Sequence, residues 1–126
     1  MTDFISPPGL AETSYWYAAK SGSTVWLAGQ LGVDHSGVVV SGDAGEQAAQ
    51  CLSNMAEVLA EAGGALTDLV HMRIFLTHWA YREAVRDAIL QHFDKRPPST
   101  MVVVASLARP ECKVEIEGVA VVEGKA

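Results

Sequence analysis

Arg96-Pro-Pro-Ser-Thr-Met-Val-Val-Val-Ala-Ser-Leu-Ala-Arg-Pro-Glu-Cys-Lys-Val-Glu-Ile-Glu-Gly-Val-Ala120 decides the fold. It reads as two strands joined by a short connection. The first, from about Ser99 to Ala105, is apolar on both faces, and strands of that kind are buried on both sides. The second, Lys113 to Val121, alternates. Val114, Ile116 and Ala120 point one way with Gly118 between them; Lys113, Glu115, Glu117, Val119 and Val121 point the other way. Two carboxylates thus share one face of a strand, beside a strand with no solvent face. A chain of 126 residues has little material to cover both faces of such a sheet. Another copy of the chain is expected to cover the second.

Outward from that stretch, Pro97-Pro98 forbids helix immediately before it. A helix is predicted from about Tyr81 to Phe93, burying Tyr81, Val85, Ala88, Ile89 and either His92 or Phe93. A strand from Thr67 to Leu76 precedes it. Its alternation sets Val70, Met72, Ile74 and Leu76 against Leu69, His71, Arg73 and Phe75. Gly63-Gly64 ends an earlier helix, which Asp43 caps with Glu46 as its reciprocal partner. Ala48, Leu52, Met55, Leu59 and Ala62 form that helix's apolar stripe. Val33 to Gly42 reads as a loop with a short extended piece. Thr24 to Gln30 is a strand ending in Gly29, and a glycine there marks a bulge or a close approach. Ser21-Gly22-Ser23 is a hairpin turn, Ser14 to Lys20 an aromatic strand, and residues 1–13 an irregular lead-in. The order is β-β-α-β-α-β-β in one domain spanning 1–126, an α/β two-layer sandwich.

Composition sets limits on function. Apolar residues make up 49% and charged residues 19%, with a net charge of −6. The acidic balance argues against nucleic acid or an anionic membrane as partner. No apolar run reaches the roughly 20 residues of a membrane span, and the first residues lack the basic start of a secretory signal. Cys51 and Cys112 lack metal-ligand spacing and read as free thiols of a reducing compartment. A cytoplasmic protein is expected. His35, His71, His78 and His92 show no metal spacing either, and neither metal nor organic cofactor is expected.

Ser99 to Leu107 followed by Lys113 to Ala120 resembles the C-terminal signature of the Rid family (YjgF-like, reactive intermediate deaminases). Val25-Trp-Leu-Ala-Gly-Gln30 resembles that family's strand ending in Ser-Gly-Gln. Glu46 to Ala62, then Gly-Gly-x-Leu-x-Asp-Leu-Val-His-Met-Arg-Ile-Phe-Leu76, resembles its middle. The resemblance covers nearly the whole chain after residue 14. It implies a chorismate-mutase-like fold, a homotrimer with a central β-barrel, and ligand clefts between subunits. It also implies hydrolysis of imines and enamines with release of ammonia.

Carried over by residue, the resemblance places the water-orienting glutamate at Glu115 and a pocket glycine N–H at Gly29. The pocket tyrosine falls at Tyr15, or at Tyr17 or Trp16 in a shifted register. The family's substrate-carboxylate arginine does not carry over: its Pro-x-Arg-Ser reads Pro97-Pro98-Ser99-Thr100 here. That argues against a standard 2-imino acid deaminase, because a hydroxyl does not replace a two-pronged guanidinium. Arg86 or Arg96 is a candidate replacement. Ser99, Thr100 and Met101 complete the expected binding set, and the aromatic lining of Tyr15 and Trp16 hints at a larger or less polar substrate. Glu117 reads as a structural barrel charge, and an ion pair with Arg73 or Lys113 is the bland alternative for Glu115. A non-catalytic trimer that binds small metabolites is the other reading of the whole chain. An endoribonuclease, an activity known among relatives, fits the charge poorly.

Overall fold

In the computed structural model, which describes residues 1–123, the strands form a single sheet. In chain order they are β1 (Thr2–Ile5), β2 (Ala18–Ser21), β3 (Thr24–Leu31), β4 (Leu69–Leu76), β5 (Ser99–Val103) and β6 (Val114–Val121). Helix α1 (Ala44–Glu61) joins β3 to β4, and α2 (Arg82–Leu90) joins β4 to β5. The spatial order is β1-β2-β3-β6-β4-β5. The β4–β5 pair is parallel and the others are antiparallel. A parallel neighbour needs a crossover, and α2 supplies it. The expected two-layer sandwich is present, with one further strand. Thr2–Ile5 lay in the supposed lead-in, but it pairs with Ala18–Ser21. The domain expectation ran to 126, and residues 124–126 lie outside the described residues.

Helix α1 forms as its stripe requires. Ala48, Leu52, Met55 and Leu59 are fully buried against the sheet. Asp43 accepts a hydrogen bond from the Glu46 N–H at 2.8 Å. The reciprocal half of the cap differs from expectation: the Asp43 N–H donates to Ser41 Oγ at 3.1 Å. At the other end Gly63 takes φ +86, and the Gly64 N–H returns to the Leu59 carbonyl at 2.7 Å, a C-cap that favours glycine. Both thiols, Cys51 and Cys112, are free and buried.

The alternation of β6 holds throughout, with Val114, Ile116, Gly118 and Ala120 buried under the helices. Two expectations about its neighbours fail. The Ser99–Val103 strand is not beside β6, because β4 lies between them. Nor is it buried on both sides. It is an edge strand pairing only β4, and Val102 and Val103 stand exposed. In β4 a register shift between Leu69 and His71 puts Leu69 on the buried face and turns Val70 to solvent. That is the opposite of a strict alternation, and an extra residue at a bulge explains it. The aromatic segment 14–17 is not strand; β2 starts at Ala18. The second helix starts one residue later than expected, at Arg82 after a 3-10 turn at Trp79–Tyr81, and ends at Leu90, three residues short of Phe93. Val85, Ala88 and Ile89 are buried as expected; Tyr81 and Phe93 pack on the core while His92 is exposed.

The helices cover one face of the sheet. The other carries Trp26, Arg73, Glu115, Glu117 and Val119, all partly or largely exposed. Among the described residues, no helix is long and apolar enough to cross a membrane.

Candidate active site

Glu115 is placed by the pleat of β6 and by a bulge in β3. Leu27 pairs with Gly118 and Gln30 with Ile116, so β3 spends one extra residue around Ala28 and Gly29. The bulge presses the β3 backbone toward the Glu115 side chain. A Cβ built on Gly29 would stand 2.7 Å from Glu115 Cδ, and closer still to Oε2. Gly29 is therefore the glycine of both a bulge and a close approach. Behind it, Asn54 Nδ2 on α1 donates to the Leu31 and Val33 carbonyls at 3.3 and 2.9 Å, holding the end of β3 in place.

Tyr15, Ala28, Gly29, Leu31, Ala108 and Glu115 line a cleft of about 300 Å³. Burial and, secondarily, the nearby Glu117 charge raise the Glu115 carboxyl above the usual carboxylate range. Burial, and then the charge of Glu115, raise the Tyr15 hydroxyl. Neither cation considered as a partner for Glu115 pairs with it. Arg73 Nη1 lies 3.1 Å from Glu117 Oε2, and Lys113 donates to the Gly42 carbonyl and stands 5.0 Å over the Tyr81 ring. Among the described residues Glu115 has no ion-pair partner. A carboxylate that is desolvated, unpaired and beside open space is suited to taking and returning a proton.

The register question at the tyrosine resolves by geometry. Tyr17 is buried and its hydroxyl donates to the Ala11 carbonyl at 2.6 Å, so Tyr15 is the one in the cleft. Trp16 lies elsewhere. It packs 6.1 Å from Phe4 and lines an apolar groove with Trp26, sharing only Ala28 with the Glu115 cleft. Size alone does not pick the site: a cavity of about 480 Å³ lies within the lead-in, lined by Pro7, Pro8, Leu10 and Ala11 together with Ser6, Glu12, Thr13 and Tyr17.

The remaining expected residues assemble apart from Glu115. Arg82, Arg86, Arg96, Ser99 and Met101 line a cavity of about 210 Å³. Ser99 and Met101 pair with the buried Met72 and Ile74, so they lie on the helix side of the sheet. Thr100 pairs with Arg73 and belongs to the opposite face; it does not line this cavity. Arg82 was missed from the sequence. Its spacing of four from Arg86, which puts the two on one helix face, was the available signal. Leu31 and Ala108 carried none. No group of three or more His, Cys, Asp or Glu that could hold a metal occurs among the described residues.

Fold and geometry define a two-layer α/β protein with a glycine-bulged strand and a carboxylate on the bare face of its sheet. The chain belongs to the endoribonuclease L-PSP family, whose model matches residues 7–122, and is thus one of the Rid proteins its sequence resembles. It is 34% identical over 116 residues to the 3-aminoacrylate deaminase RutC of Acinetobacter baylyi, covering 91% of this chain and 90% of that one. It is 29% identical to a 2-iminobutanoate/2-iminopropanoate deaminase of Dermatophagoides farinae, covering 86% of each. The crystal structure of RidA from an Antarctic Psychrobacter superposes with a TM-score of 0.88 at 27% identity, covering 94% of this chain and 98% of that one.

Proposed function

We propose that the chain forms a homotrimer and hydrolyses the C=N bond of an imine, enamine or related small metabolite in clefts between subunits. One observation carries the reading. Glu115 lies on the bare face of the sheet, whereas Ser99, Met101 and the arginines lie at its helix side. One molecule cannot readily touch both sets on a single chain. In this reading a neighbouring copy laid against the bare face brings its edge strand β5, and the arginine cavity beside that strand, up to this chain's Glu115 cleft; closed rings are the common way to pool such faces. The deaminases among its relatives favour this chemistry.

In this reading water adds to the C=N carbon while Glu115 accepts one of its protons. The proton passes to nitrogen to give the carbinolamine; Glu115 then takes the carbinolamine's hydroxyl proton and delivers it to the amino nitrogen as the C–N bond breaks, leaving a carbonyl and ammonia. Tyr15 and the Gly29 backbone shape the pocket, and no cofactor takes part. The net charge of −6 disfavours RNA as substrate.

A solution mass three times the 13.4 kDa chain, with ammonia released from imines generated in situ, is the expected result. A stable single chain would sink the shared cleft. Ligand binding without ammonia release across a broad panel would favour a metabolite-binding trimer instead.

Ser99→Arg restores the family's clamp in this reading. Hydrolysis of 2-iminopropanoate is expected to rise by about 10-fold or more, the worth of a charge-assisted pair. Steady-state ammonia assays check it. No gain would mean that Ser99 does not face a neighbour's Glu115.

A further inference from the structure

Three of the chain's five arginines gather in one small cavity of a protein whose net charge is −6. Arg82 and Arg86 project from α2, one turn apart. Arg82 is held in place: it donates to the Trp79 carbonyl at 3.3 Å and its guanidinium stands 5.2 Å over the Trp79 ring. Arg96 Nη2 donates to Ser99 Oγ at 3.0 Å. Ser99 accepts there and keeps its own proton to give. The carboxylates that reach these arginines are Glu83, 3.8 Å from Arg82, and Asp87, 3.5 Å from Arg86. Both are exposed neighbours along the helix and neither lines the cavity. Pairs of that kind hold a guanidinium weakly.

Three guanidinium-bearing side chains around one cavity make its lining cationic, and an anion seated there interacts favourably with each of them. A single carboxylate satisfies one guanidinium with two parallel hydrogen bonds and leaves the other two without a ligand group. We infer, on the C=N hydrolase reading, that this cavity seats a doubly negative end of the substrate, a phosphate monoester or a pair of adjacent carboxylates. Arg82, Arg86, Arg96 and the Ser99 hydroxyl are its donors. The cavity's volume of about 210 Å³ is below the roughly 300–1,000 Å³ of a whole-ligand pocket. It takes the charged end of a molecule, and the reacting carbon extends beyond it. Loss of the family's lone arginine is then an exchange of one-charge for two-charge recognition.

Calorimetric titration at pH 8 and constant ionic strength tests this, with inorganic phosphate, maleate and acetate as probes. Phosphate, maleate or both are expected to bind at least about 10-fold tighter than acetate. Arg86→Gln and Arg96→Gln are each expected to weaken that binding about 10-fold. Phosphate alone identifies a phosphate monoester as the substrate's end, maleate alone a dicarboxylate, and both together dianions of either kind. Acetate binding as tightly, no dianion binding, or dianion binding unchanged in both variants would overturn the assignment. Binding needs no turnover, so the two readings fail separately. Dianion binding without ammonia release from any C=N compound sinks only the hydrolase; ammonia release without dianion binding sinks only this site.

Discussion

Glu115→Gln is expected to slow ammonia release by about 10²–10⁴-fold, the range for a lost general acid–base group, and to raise the melting temperature at pH 7. The first effect follows from chemistry: glutamine keeps the shape and hydrogen-bonding reach of the side chain but accepts no proton. The second follows from the raised Glu115 carboxyl, whose causes are burial and then Glu117. A carboxyl raised in the folded state binds its proton more readily there than in the unfolded chain. Its ionised form therefore opposes folding at every pH above the folded value. Glutamine removes that opposition. The variant's stability advantage should be largest above the folded value, shrink as the pH falls through it, and vanish below the unfolded carboxyl's value of about 4.3. Thermal melts of both proteins between pH 4 and 8, beside ammonia assays, check the pair of effects. Unchanged turnover would remove Glu115 from the reaction. A lower melting temperature at pH 7 would mean that the carboxylate has a structural partner.

Much of the fold was legible because burial leaves a period in the sequence. The 3.6 period of α1 and the alternation of β6 each follow from a face packed on the core, and both came out as observed. What failed depended on which strand chose which partner. The run Ser99–Val103 is apolar on both sides whether it is central or at an edge, and composition does not tell the two apart. Thr2–Ile5 is a strand because β2 offers it a ladder, not because its own residues demand it. The bulge at Val70 has no sequence marker, whereas the one at Gly29 has a glycine. At the site, the rule of two that separates Val114 from Glu115 also separates Ser99 from Thr100, so the misplacement of Thr100 was avoidable. Tyr15, Gly29 and Glu115 came from the resemblance, and the structure gathers them in one cleft.

Gly29→Ala should reproduce much of the Glu115 defect without touching the carboxylate's chemistry. Gly29 does not take a positive φ, so alanine fits the backbone there, and the whole effect lies in one added carbon. That carbon would stand 2.7 Å from Glu115 Cδ and 3.0 Å from Cγ, too close for either to stay. The obstruction is a flexible side chain, so Glu115 swings aside and the fold survives. Misplacing a reacting group by about 1 Å slows a reaction by roughly 10²-fold. Turnover is expected to fall by about that factor with little change in melting temperature. Gly32→Ala is the control, because its Cβ would meet Gln47 Cα at 2.7 Å. There a helix backbone must shift, and the expected loss is one of stability, about 1–3 kcal/mol. Combining Gly29→Ala with Glu115→Gln separates the remaining possibilities. If glycine serves only to seat the carboxylate, the double variant is no slower than Glu115→Gln alone. A further loss of turnover in the double variant would show that the Gly29 backbone itself touches the substrate.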